Sequence, residues 1–107
     1  MTARTFDEYQ YEAGKTAIYP ADRALDYLVT GLAGEVGELA SVYAKSVRKD
    51  APLDAGHLLS EVGDVLWFLA MICDELEINM SVVASENLDK LRGRMERGTI
   101  QGSGENR

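Results

Sequence analysis

Proline stands at only two positions in this chain, Pro20 and Pro52. Its ring removes an N–H and clashes with the preceding helical turn, so a helix can run only between or beyond these points. Apolar residues recur at helical spacing through all three intervals, and no stretch of useful length alternates as a strand would. The chain therefore reads as all-α. Local signals divide it into helices at about residues 6–17, 22–48, 55–76 and 81–97. Thr5 and Glu8 make a capping-box pattern ahead of the first helix, and Ile18-Tyr19-Pro20 ends it. Lys45, Arg48 and Lys49 gather where the dipole of the second favours cations. Asp54 suits the N-cap of the third helix and Ser81 that of the fourth, with Gly98 just past its end.

A chain of 107 residues is expected to form one domain. Residues 98–107, glycine-rich and polar, read as a flexible tail. Hydrophobic residues at 46% and charged residues at 27% match an ordinary globular composition. A net charge of −7 argues against a basic nucleic-acid surface. It leaves room for a phosphate substrate bridged by a metal. The single cysteine, Cys73, rules out an intrachain disulfide and fits a reducing, cytoplasmic setting. The opening MTARTFDEYQ lacks the apolar run of a secretory leader. No apolar run of about 18 residues stands out, so no membrane span is expected.

On a helical wheel, Leu58, Val62, Val65, Leu69, Ile72 and Leu76 make a tight stripe on the third helix. Leu59, Leu66 and Cys73 widen it, and Trp67 lies nearly opposite. A helix apolar over most of its circumference must be covered on more than one side. In so short a chain a second subunit is the expected cover, giving a helix bundle completed by homo-oligomerisation, as a dimer or a dimer of dimers.

Acids interrupt this apolar pattern. Glu35 falls within about 20° of both Leu28 and Val42 on the second helix, and Glu38 follows one turn on. Glu61 and Asp64 repeat the spacing on the third helix. Leaving four carboxylates unpaired beside a core costs more than a small domain tolerates. Residues at i and i+3 project side by side, and two such pairs on facing helices converge. An all-oxygen set of this kind suits a hard cation, Mg²⁺ or Mn²⁺. A ferritin-like di-iron site needs Glu-x-x-His on two helices, and His57 is the only histidine.

The sequence Glu35-Val36-Gly37-Glu38, followed by Glu61-Val62-Gly63-Asp64-Val65-Leu66-Trp67, resembles the E-x-x-E…E-x-x-D signature of MazG-like nucleotide pyrophosphohydrolases, in the all-α NTP pyrophosphatase superfamily. Phe6-x-x-Tyr9-Gln10-x-x-Ala13 and Asn87-x-x-Lys90-Leu91-x-x-Arg94 resemble that family's first and fourth helices. The resemblance implies Mg²⁺-dependent hydrolysis of a nucleoside triphosphate to the monophosphate and pyrophosphate, with house-cleaning of non-canonical nucleotides as one setting for it. It makes Glu35, Glu38, Glu61 and Asp64 the metal ligands, with Glu38 or Glu35 orienting the water. Asn87, Lys90 and Arg94 would hold phosphates, and Trp67 would stack on the base, with Tyr9 and Gln10 approaching from the first helix. Trp67 also reads as core or subunit interface. A phosphoribosyl-ATP pyrophosphatase, a dUTPase-like relative and a non-catalytic, metal-binding oligomerisation module are the competing expectations. His57 reads as a surface residue or as a neighbour of Glu61, and Cys73 and Met71 as core. Gly31, Gly34 and Gly37 read as sites of tight helix packing.

Overall fold

The structure is a computed structural model describing residues 3–107. It contains four helices, α1 (Phe6–Gly14), α2 (Ala24–Arg48), α3 (Ala55–Glu75) and α4 (Met80–Arg97), with a 3₁₀ turn at Ala21–Arg23 leading into α2. No strand occurs among the described residues, and the all-α expectation holds.

The helix ends follow local chemistry. At α1 the Thr5 hydroxyl accepts from the Glu8 N–H while the Glu8 carboxylate accepts from the Thr5 N–H, which completes the capping box. That helix stops at Gly14 rather than Ala17. Lys15, Thr16 and Ala17 bond back only three residues, in tightened turns that carry the chain toward Pro20. Asp54 caps α3 by accepting from the His57 N–H, and Gly98 ends α4 with φ +70, in the left-handed region. Ser81 is not the cap of α4. Asn79 holds that position and makes no side-chain cap bond. The free N–H groups are taken instead by α1: Gln10 Oε1 accepts from Met80 N, and Asp7 accepts from both the N–H and the hydroxyl of Ser81. One helix thus supplies the cap, and the negative charge, that the next lacks.

α2 and α3 form an antiparallel hairpin, the most extensive contact in the chain, and α1 packs on α3 and α4. The core gathers Ala13, Leu28, Phe68, Ala70, Met71 and Met80, with Leu66, Trp67 and Cys73 partly buried against it. Gly31 is where the hairpin closes most tightly. A Cβ placed there would stand 2.3 Å from Phe68 Cε1, inside van der Waals contact. Gly34 and Gly37 have open space instead, so tight packing explains one glycine of the three.

The face of α3 that packs inward is centred on Phe68 and Met71, not on the predicted leucine and valine stripe. Val62, Leu69 and Leu76 of that stripe are exposed, as is Leu59. The widest apolar face of the helix is therefore left for something other than this chain's own core. α3 is also long and apolar enough to cross a membrane by length and composition, with a mean hydropathy of 1.4 over its best window. The expectation that no helix reaches that threshold does not hold.

The chain is open for its mass. Its accessible surface is 7916 Å², against about 5,900 Å² for a compact monomer of 11.7 kDa. Its radius of gyration is 16.7 Å, against about 13 Å for a compact domain of this length.

Candidate metal and nucleotide site

The α2–α3 hairpin brings three of the four acids together. One carboxylate oxygen from each of Glu35, Glu61 and Asp64 lies within 4.8 Å of the others. Antiparallel pairing explains this: Gly31 sets α2 against Phe68, and one turn further along each helix, toward the loop, Glu35 meets Asp64 and Glu61. Glu35 is half-buried, and the Glu61 side chain is 14% exposed. Burial pushes the Glu35 carboxyl above its ordinary value, and the negative charges of Asp64 and Glu61 push it the same way. A hydrogen bond with Glu61 and the nearby charge of Glu38 add to this. Glu38 itself is exposed and stands outside the convergent group.

The neighbours of the acids are few. The His57 imidazole lies 3.3 Å from Glu61 Oε1, one turn earlier on α3, and helps to orient that carboxylate. No lysine or arginine forms an ion pair with any of the four acids among the described residues. Tyr9 comes in from α1. Burial raises its phenol above the usual range, and the charge of Asp64 contributes. Gly37 and Gly63, inside the two acidic motifs, both face open space, so the turns carrying the acids are accessible.

The other predicted residues are placed differently. Gln10 is buried and fully engaged, bonding the Asp74 carboxylate, the Ile78 carbonyl and Met80 N, so it serves the α1–α4 junction. Trp67 donates its indole N–H to Thr16 Oγ1 at 2.8 Å and packs edge-on against Tyr19 and Phe68. Lys90 and Arg94 lie on α4, whose packing partner within the chain is α1, and both meet Glu105. Asn87 is exposed on the same helix.

One feature carries no motif that would have announced it. A concave pocket of about 440 Å³ is lined by Pro20, Arg23, Asp26, Tyr27, Thr30 and Gly31. Tyr19 and Tyr27 stack at 5.3 Å near it. It begins one turn, or about 6 Å, along α2 from Glu35. The only signal in the sequence is an aromatic at the Ile18-Tyr19-Pro20 break followed by Tyr27 at helical register with Gly31.

Comparison with known proteins agrees with this geometry. The profile of the MazG nucleotide pyrophosphohydrolase domain matches residues 23–99, which hold all four acids. A protein called Gene 37 protein, from Mycobacterium phage L5, is 41% identical over 111 residues, covering 94% of this chain and 97% of its own length. No solved structure matches. A domain match over most of the chain, with its acids converging on facing helices, places this protein in the MazG nucleotide pyrophosphohydrolase family.

Proposed function

We propose that the protein hydrolyses a nucleoside triphosphate to the monophosphate and pyrophosphate in a Mg²⁺-dependent reaction. The observation that carries this reading is the convergence of Glu35, Glu61 and Asp64 with no lysine or arginine among the described residues paired to them. The donor set fits a hard divalent cation. It is all oxygen, it is held by two rigid helices, and its central carboxyl is destabilised as an anion until a positive charge arrives. When bound there, such an ion supplies neutralisation of the phosphate oxygens and a more acidic water.

The chain's own residues do the rest. Glu35, Glu61 and Asp64 would hold the cation, and His57 steadies Glu61. Glu38, left outside the group, is the acid free to take the proton of the attacking water. The water oxygen bonds to the α-phosphorus, the bond from that phosphorus to the bridging oxygen breaks, and pyrophosphate departs. No protein nucleophile is required, since phosphoryl transfer is governed by positioning and charge. The 440 Å³ pocket beside Tyr27 is of the size that holds a small ligand and lies where the nucleoside end would fall.

A second copy of the chain completes this site in our reading. The chain exposes about 2,000 Å² more than a compact monomer, while a standard interface needs about 800 Å² per partner. The exposed stripe Leu59, Val62, Leu69 and Leu76 on α3 is apolar enough to supply it. α4, whose main helix partner within the chain is α1, would then lie beside a neighbour's hairpin and bring Lys90 toward its acids.

The test is a panel of nucleoside and deoxynucleoside triphosphates, including dUTP, together with phosphoribosyl-ATP, assayed with Mg²⁺ for both phosphate products. Pyrophosphate release from at least one substrate is expected. Orthophosphate alone, or no turnover across the panel, overturns the reading. Light scattering of the same sample should give a mass of at least two chains.

A further inference from the structure

Residues 98–107 lie back along α4. Arg107 folds inward and donates to three carbonyls of its own segment, Thr99 O at 3.1 Å, Gly104 O at 2.9 Å and Ile100 O at 3.5 Å. Arg97 donates to Arg107 O at 2.7 Å, and Gly104, with φ +88, makes the turn that only glycine adopts without strain. This loop delivers Glu105 to α4. The Glu105 carboxylate accepts from Lys90 Nζ at 2.7 Å and lies 3.6 Å from Arg94 Nη2, which also donates to Glu105 O at 3.2 Å.

The two cations are not equivalent under this strap. Arg94 is 6% exposed, and its Nε is buried without a hydrogen-bond partner, so it is committed to holding the segment. The Lys90 side chain is 39% exposed and spends one of its three donors on Glu105. Lys90 and Arg94 both face Glu105, while Arg97 and Arg107 are spent on main-chain oxygens of the segment, within a chain whose net charge is −7.

We propose that Glu105 is a positioning residue for the phosphate end of the site: the strap Thr99–Arg107 fixes Lys90 so that its remaining donors meet the departing pyrophosphate, while Arg94 anchors the strap and does not touch substrate. A lysine has four rotatable bonds, and holding its ammonium in advance removes ordering that binding would otherwise have to supply. This rests on the pyrophosphohydrolase reading above, so the experiment separates the two. Glu105→Gln, Lys90→Met and the double variant are compared with the wild type in the full chain, after circular dichroism has shown equal helicity. Glu105→Gln should raise KM about tenfold, the scale set by the freedom of one long side chain, with kcat changed little. The inhibition constant for pyrophosphate should weaken by the same factor, and the double variant should be no worse than Lys90→Met alone. An unchanged or lowered KM, or additive losses, overturns the proposal. A lowered KM would mean that Glu105 competes with phosphate instead. If the wild type hydrolyses no nucleotide, the functional reading falls, and calorimetric titration with inorganic pyrophosphate and Mg²⁺ still decides the strap. Weaker binding to Glu105→Gln than to the wild type supports it, whereas equal or tighter binding, or no binding by the wild type, overturns it.

Discussion

The two helix junctions of this molecule treat charge in opposite ways. Where α1 meets α4, Asp7 and Gln10 satisfy the open N–H groups of Met80 and Ser81, and the core closes around Met71 and Met80. Where α2 meets α3, three carboxylates crowd together, glycines hold space open, and no lysine or arginine among the described residues pairs with them. The first junction is built to be stable by itself. The second leaves its carboxylates without a lysine or arginine partner, and that difference marks it as the candidate site.

Glu35→Gln tests the difference most severely. Turnover should fall on the order of 10³-fold, because the change removes a charged ligand of the cation on which the reacting phosphate depends. The same substitution should raise the melting temperature of the metal-free protein, since it relieves crowding. The pH dependence has a definite sign. The folded Glu35 carboxyl titrates above its ordinary value of 4.5, so its contribution to stability is complete below about that pH and is lost as pH rises through the folded value. Metal-free protein should therefore lose melting temperature as pH rises from 4.5 toward neutrality, and saturating Mg²⁺ should remove that loss. At a hundredfold excess over Kd, Mg²⁺ should itself add about 2.7 kcal/mol. A scan showing the opposite slope, or no response to Mg²⁺, would break the contrast between the two junctions.

Gly31→Ala probes the hinge of the site. The added Cβ has nowhere to go but into the Phe68 ring, and overpacking of this kind costs about 1–3 kcal/mol. Urea unfolding measures it directly. Because Gly31 sets the register one turn from Glu35, Mg²⁺ affinity should fall along with stability. A variant that unfolds earlier yet binds Mg²⁺ unchanged would show that the acids do not rely on this contact.

Asp7→Ala is the converse experiment on the other junction. It removes a cap that α4 cannot supply for itself, and losses of this kind are about 1 kcal/mol. Stability should drop by that amount with kcat nearly unchanged, whereas Glu35→Gln should do the reverse. A large fall in kcat would mean that the α1–α4 junction positions catalytic groups as well.

Much of this is legible in the sequence, for a physical reason. Helix ends written in local chemistry, such as Thr5 with Glu8, Asp54 and Gly98, are fixed within a turn of themselves and stand where expected. The acids on the α2–α3 hairpin are readable because a three-residue spacing survives folding unchanged. What a wheel cannot say is which of several apolar faces meets its own chain. The stripe through Val62, Leu69 and Leu76 satisfies every periodic criterion and is nonetheless exposed, because Phe68 and Met71 take the inner face. The cap of α4 is unreadable for a related reason. Its partners lie 70 and 74 residues away in sequence, and no local pattern announces a side chain that arrives from another helix.

The smallest expected effect discriminates most finely. Gly34 and Gly37 sit in the interior of α2 with no atom within 4 Å of where a methyl group would stand, so alanine at either position meets no clash within the chain. In an isolated chain each change should stabilise by about 0.5–1 kcal/mol, the difference in helix propensity. That gain should appear in full only if the space beside them is empty in solution. If a second copy or the bound nucleotide occupies it, the methyl group meets a neighbour that a single chain does not reveal. Gly34→Ala and Gly37→Ala should then leave thermal stability near or below that of the wild type. A shift of the light-scattering mass toward the single chain would assign the neighbour to a second copy. A raised KM at unchanged mass would assign it to substrate. A simple gain in stability, with mass and KM both unchanged, would leave the open side of α2 facing water and remove the hairpin's outer surface from both roles.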